Sequence, residues 1–226
     1  MKLSSDTLSI LKNFAGINTG LVFRKGNVLK TISSNKNILA EATIAEEMPN
    51  DFGVYDLNKF LTVLSLHKEE PELEINEKTA VISGLGGRSK FDYRFCDPMM
   101  INTPPVNPVR MPEVEINFEL SDQDLEWILR SAGVLGSPNI AVNSDGSTIS
   151  IVAYDASNDS ESTNQIQVGT ENGNKYRMIF KTEALKMIPG SYSVEIASSG
   201  VSHFTHKTKP IQYWIAVETG SQFTAA

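Results

Sequence analysis

Leu3-Ser-Ser-Asp-Thr-Leu8-Ser-Ile-Leu-Lys12-Asn-Phe14 and Leu120-Ser-Asp-Gln-Asp-Leu125-Glu-Trp-Ile-Leu-Arg130-Ser decide the fold, because they are one short capped helix written twice. Leu3 and Leu120 stand 117 residues apart, as do Leu8 and Leu125, about half of the 226-residue chain. Each copy is followed by short alternating segments and then by a second short helix pattern behind an apolar pair, Val54-Tyr55 in one half and Ile179-Phe180 in the other. An order of helix, strands, helix, strands, given twice, predicts two similar domains.

The helix patterns are amphipathic at 100° per residue. Thr7, Leu8, Ile10, Leu11 and Phe14 share one arc of the first, with Lys12 and Asn13 on the other. Leu57, Phe60, Leu61 and Leu64 form the inner face of the second, Leu125, Ile128, Leu129 and Ala132 that of the third, and Ala184, Leu185 and Ile188 that of the fourth. Acids stand at the helix starts (Asp6, Asp56, Asp122, Asp124, Glu183), where they cap free amides and complement the dipole; Ser121 and Asp124 have capping-box spacing. Bases come later on the outer faces, at Lys12, Lys59, Arg130 and Lys186. On a single helix this is ordinary dipole complementation. Repeated four times among small polar neighbours, it also suits a surface that meets phosphate backbone without reading bases.

The rest reads as strands and turns. Leu21–Phe23, Val28–Ile32 and Ile38–Ile44 predict a meander, and Glu72–Ile75, Thr79–Ile82 and Lys90–Phe95 follow in the same half. In the second half Asn139–Val142 and Thr148–Ala153 flank the Asp145-Gly146 turn, Gln165–Val168 and Tyr176–Phe180 flank Asn172-Gly173, and Ser191–Ala197, Val201–His206 and Ile211–Glu218 close the chain. The expected class is α+β, two similar domains each with two short helices packed on antiparallel sheet. The expected division is 1–97, a connector 98–112, and 113–226. The connector holds five of the ten prolines (Pro98, Pro104, Pro105, Pro108, Pro112), which exclude helix and central strand. Its apolar Ile101, Val106 and Met111 suit either a strap packed on a domain edge or the wall of a partner groove.

Charge is uneven. Residues 1–112 carry 13 Lys+Arg and 13 Asp+Glu, whereas residues 113–226 carry 7 and 14, so the net −7 lies in the second half. The first 30 residues are net +4, with Lys2, Lys12, Arg24, Lys25 and Lys30 against Asp6. Nucleic-acid binding is compatible with a net acidic chain only through such segregation. A single cysteine, Cys96, excludes an internal disulfide. The longest apolar runs fall far short of the roughly 20 residues of a membrane span, and Met1-Lys-Leu-Ser-Ser-Asp6 lacks a signal peptide's apolar stretch, so the expectation is a soluble cytoplasmic protein.

Catalytic and metal motifs fail on inspection. His203 and His206 lie three apart in a strand pattern and so point to opposite faces, which excludes a shared metal. Gly84-Leu-Gly-Gly-Arg-Ser-Lys90 lacks the spacing of a phosphate loop and has no helix after it, so it reads as a turn between strands. No nucleophile elbow is present. No catalytic residue, metal or cofactor is expected.

Met1–Gly20, Val54–Leu66, Met187-Ile-Pro-Gly-Ser-Tyr192 and Tyr213-Trp-Ile-Ala-Val-Glu218, in order and at similar spacing, resemble the sliding clamp of T-even-type bacteriophages. The resemblance spans the whole chain and implies a ring of three subunits, with helices lining a central hole and sheets on the outside. It implies that the ring encircles double-stranded DNA without sequence preference, is placed by a clamp loader, and tethers the replicative polymerase through that enzyme's C-terminal peptide, in the cytoplasm of the infected host cell. Lys2, Lys12, Lys59, Arg130 and Lys186 are then the expected DNA-facing residues. Ile101, Pro104, Val106 and Met111, with Val217 and Phe223, are the expected peptide pocket. The basic face is thinner here, since Ser5 is uncharged and Glu126 lies on the outer arc of its helix. The alternatives from other classes are a phage virion structural protein and a monomeric regulatory binding module.

Overall fold

The computed structural model describes residues 1–67, 71–158, 163–171 and 173–226, which divide into compact units 1–106 and 107–226. The first unit runs α1 (Ser5–Ile17), β1 (Leu21–Phe23), β2 (Gly26–Ile32), β3 (Ile38–Met48), β4 (Phe52–Val54), α2 (Leu57–Ser65), β5 (Glu72–Ile75), β6 (Thr79–Gly84) and β7 (Ser89–Arg94), then a 3₁₀ turn at Pro98–Met100. The second runs β8 (Ile116–Leu120), α3 (Asp122–Leu135), β9 (Asn139–Asp145), β10 (Thr148–Tyr154), β11 (Asn164–Thr170), β12 (Lys175–Lys181), a 3₁₀ turn at Thr182–Ala184, then β13 (Tyr192–Ala197), β14 (Val201–His206), β15 (Ile211–Ala216) and β16 (Gln222–Thr224).

The repeated helix starts the same way in both units. Ser4 is the N-cap of α1 at φ −67, ψ 159, and its hydroxyl accepts from the Thr7 amide. Ser121 is the N-cap of α3 at φ −73, ψ 155, and its hydroxyl accepts from the Asp124 amide at 3.1 Å. Leu3 and Leu120, the residues just before these caps, are 6% and 3% exposed, so each helix leaves a buried anchor at a fixed angle. Glu46 on β3 reinforces the first cap: its carboxylate accepts from the Ser4 amide and the Thr7 hydroxyl. Burial pushes that carboxyl up, but the bonds from Thr7 and Ser4 outweigh it and hold it below its usual range. At the far end of α3, Gly136 takes φ +66, a left-handed conformation that costs other residues a Cβ clash.

Beneath α1 and α2 the first core gathers Ile10, Leu11, Phe14, Leu57, Phe60 and Leu64, with Phe60 edge-on to Tyr93 of β7 at 5.0 Å. Burial follows the wheel except that Leu8 of α1 and Leu61 of α2 are half-buried, while Val63 of α2 is buried. In the second unit Leu125, Ile128 and Ala132 of α3 are buried, and Leu129 is half-buried. There β11-β10-β9-β12-β16 form one antiparallel sheet, and β15-β14-β13-β8 are neighbours in another.

Three expectations change. The fourth helix is absent: residues 182–184 make only a 3₁₀ turn, so among the described residues the second unit has one α-helix where two were expected. Only four residues separate that turn from Pro189, which disfavours helix at the residue before it, and the Ile188 amide is instead held by the Tyr213 hydroxyl at 3.1 Å. Ala184, Leu185 and Ile188 are buried all the same. The first three strands are also no meander. β2 pairs with β3, whereas β1 pairs with β4, Leu21 opposite Val54. Three-residue strands carry too little pattern for their partner to be read from sequence. Finally β11 and β12 are not paired with each other but lie beside β10 and β9, while Gly173 donates to the Gly146 carbonyl at 2.9 Å; Asn172 lies outside the described residues.

Ser4→Ala and Ser121→Ala each cost about 1 kcal/mol in chemical denaturation, the usual loss of a serine cap. The Glu46 contribution has its own pH signature. The folded value is depressed, so this stability is complete above the ordinary value of 4.5 and is lost as pH falls through the lower folded value. Glu46→Gln therefore flattens the acid limb of the stability curve.

Candidate nucleic-acid and partner interface

The outer faces of α1 and α2 are polar and sparsely basic. Lys12 and Lys59 are exposed on them, and Lys2 is exposed just ahead of the α1 cap. None of the three ammonium groups has an ion pair among the described residues. On α2 the small polar side chains turn back on their own helix, with the Thr62 hydroxyl donating to the Asn58 carbonyl at 2.9 Å and Ser65 to Thr62 at 2.8 Å. Lys12 and Lys59 are thus isolated cations among exposed neutral residues such as Asn58, with the acid Asp6 in the first turn of α1.

The outer face of α3 is different. Arg130 is exposed but bonded to Glu126 one turn earlier, and Asp122, Gln123 and Trp127 are exposed beside them. Trp127 (42% exposed) and Val134 (82%) open a groove of about 590 Å³ toward Thr163 and Asn164 at the start of β11. The wheel put Trp127 outside, which was the only advance signal for this groove. Lys186 is exposed on the segment after the 3₁₀ turn rather than on a helix.

A second groove forms within the first unit. Phe23 stacks on Phe52 at 4.6 Å and Phe52 on Phe95 at 4.3 Å, while the Cys96 amide donates to the Gly53 carbonyl at 2.9 Å, so the chain leaving β7 is pulled back onto the unit. Ile101 then plugs in at 8% exposure. It is so close that a side-chain carbon at Gly53 meets Ile101 Cδ1 at 3.3 Å and the Cys96 sulfur at 2.9 Å. The Asn18 side-chain amide fixes the next turn by donating to the carbonyls of Ile32 and Asn102, both at 3.0 Å. Held there, residues 103–106 wall a groove of about 540 Å³ with Val22, Arg24, Lys25, Val28 and Lys30.

Of the six expected pocket residues, the structure brings Pro104 and Val106 together on this groove and buries Ile101 beneath the strap. Met111, half-buried, belongs to the second unit. So do Val217, whose amide donates to Gly200 at 2.9 Å, and Phe223, which lies on β16 stacked on Tyr176 at 6.3 Å. The β2 side of the groove was missed, although the +4 excess of the first 30 residues marked three of its members.

His203 is clasped between Glu195 at 3.1 Å and Gln212 at 2.9 Å and stacks on Trp214, while His206 Nδ1 accepts the Thr208 and Lys209 amides. No group of three or more metal-ligating side chains occurs among the described residues. No helix among them is long and apolar enough to cross a membrane.

Residues 4–101 match the family model of the DNA polymerase processivity factor, and residues 117–219 match that of the gp45 sliding clamp, C terminal. A sliding clamp of Vibrio phage KVP40 is 33% identical over 223 residues, 96% of this chain and 99% of that one. The chain belongs to the sliding clamps. The sliding clamp of Escherichia phage RB69 is 31% identical over 98% of each chain, and that of Enterobacteria phage T4 is 31% identical over 88% of this chain and 89% of the other. The fold extends further. A PCNA of Thermococcus kodakaraensis has TM-score 0.69 at 14% identity, covering 94% of this chain and 96% of that one, and one from Entamoeba histolytica has 0.64 at 11%, covering 93% and 94%. Sliding clamps are processivity factors and not enzymes, and the family match does not favour a virion structural protein.

Burial separates the two connector roles in this clamp. Ile101→Ala destabilises by about 2–5 kcal/mol because it empties a packed site, whereas Val106→Ala, at 92% exposure, leaves the denaturation midpoint within about 0.5 kcal/mol.

Proposed function

We propose that this chain forms a homotrimeric ring that encircles duplex DNA without sequence preference and tethers the replicative polymerase in the host cytoplasm, after an ATP-driven loader has placed it. The observation that carries the reading is the near full-length match to phage sliding clamps, together with unpaired lysines on the outer faces of α1 and α2. Lys2, Lys12, Lys59, Arg130 and Lys186 face the DNA. Isolated cations on short polar helices suit sliding, because phosphate contacts are long-ranged and sequence-blind and no single one is strong enough to stop the ring.

The subunits close the ring head to tail through free sheet edges, β7 of one copy against β11 of the next, with the Trp127 and Val134 groove beside β11 taking apolar side chains from the neighbour. The polymerase's C-terminal peptide docks on the connector groove, with Pro104 and Val106 on its wall. Ile101 supports that wall from beneath. Met111, Val217 and Phe223 of the second unit are proposed as further peptide contacts.

Charge reversal tests the DNA face. Changing Lys2, Lys12, Lys59, Arg130 and Lys186 together to glutamate abolishes loading and processive synthesis while the chain still runs as a trimer, three copies of 24.8 kDa. Single reversals are graded. Lys12→Glu and Lys59→Glu cost more than Arg130→Glu, because Glu126 already neutralises Arg130. Unchanged synthesis by a trimeric fivefold variant contradicts the assignment.

A further inference from the structure

The connector groove carries a charge pattern that its apolar walls do not require. Its lining includes Arg24, Lys25 and Lys30 and, among the described residues, no carboxylate. Two of these cations are spent: Arg24 binds Asp51 at 2.7 Å and Lys30 binds Glu41 at 2.6 Å. Lys25 is not. Its backbone amide donates to Asp51 Oδ1 at 2.7 Å, which pins the turn into β2, and Gly26 beside it takes φ +108. The exposed ammonium of Lys25 has no ion pair among the described residues. Around it the lining is apolar and neutral polar: Val22 is a buried floor, Val28 and Val106 are 39% and 92% exposed, and Asn27 and Thr103 complete the wall.

An apolar trough with one uncompensated cation, held in place through its backbone, discriminates among peptides by charge. We infer that the groove selects an extended peptide whose apolar side chains are flanked by a carboxylate, and that Lys25 is the residue that reads that carboxylate. The inference rests on the docking role proposed above and adds the chemistry of the docked segment. A nucleic-acid phosphate is the less fitting anion, because Pro104, Pro105 and Val106 offer it neither donors nor a stacking surface. An ion pair this exposed to solvent discriminates about two- to fivefold, which makes Lys25 a determinant of selectivity and the apolar wall the main source of affinity.

The test uses the full chain and three fluorescein-labelled dodecapeptides that share Leu and Phe spaced by Ser and differ only in carrying two Glu, two Gln or two Lys. Anisotropy at low salt is expected to rank them Glu, Gln, Lys from tightest to weakest, with the spread shrinking as salt is raised. Lys25→Glu should invert the order and Lys25→Gln should flatten it, since the pinning bond from the Lys25 backbone amide survives both. Val106→Ser should weaken all three peptides together. Equal binding of the three peptides, or a ranking unmoved in Lys25→Glu, overturns the selection while leaving a docking groove in place. Absence of binding by any of them overturns both. Displacement of the Glu peptide by a 12-base-pair duplex from the wild type but not from Lys25→Gln overturns it in favour of a phosphate site.

Discussion

The serine-capped turn into each repeated helix is the constraint on which the rest of the molecule depends. A helix of 13 or 14 residues is marginal alone. It persists because Ser4 or Ser121 closes its first turn and because one face, Leu11 and Phe14 in α1, Leu125 and Ile128 in α3, is driven onto sheet. Once the inner face is fixed by burial, the outer face is free of structural duty. It is there that the two copies diverge: the first carries a lysine with no ion pair among the described residues, the second an arginine already matched by Glu126 and an exposed tryptophan.

That divergence has a physical logic for a clamp. Holding a duplex without gripping it calls for positive charge at low density, so that sliding crosses many small barriers and no large one. The α1 and α2 faces fit this description more closely than α3, whose outer side combines an internal ion pair with an apolar groove at the edge strand β11. Within one repeated design, the outer faces of α1 and α2 carry isolated cations, whereas that of α3 carries a paired one beside an apolar groove.

The duplication, the amphipathic faces and the Ser121 cap were legible in the sequence because each rests on local spacing that the fold does not override, whereas the first helix is capped by Ser4 and not by the acid Asp6. The fourth helix was misread because its apolar residues repeat at helical spacing, yet Pro189 and the Tyr213 hydroxyl claim the residues a second turn needs. The pairing of β1 with β4 was invisible because three residues carry no register. The connector's proline content announced an extended strap, but not that Ile101 is its plug and Val106 its open wall. That difference depends on the close approach of Gly53 and on the Asn18 bond to Asn102, neither of which leaves a local mark.

The proposed ring has a topological consequence: DNA is held by being surrounded. The most direct measurement is retention on a circular duplex after loading, followed by a single restriction cut. A ring that encircles the helix stays on the closed circle through a high-salt wash, is lost within the sliding time once ends are created, and is retained again when both ends are blocked by bound protein. Loss from the intact circle in high salt, or the same lifetime on closed and cut DNA, contradicts the account.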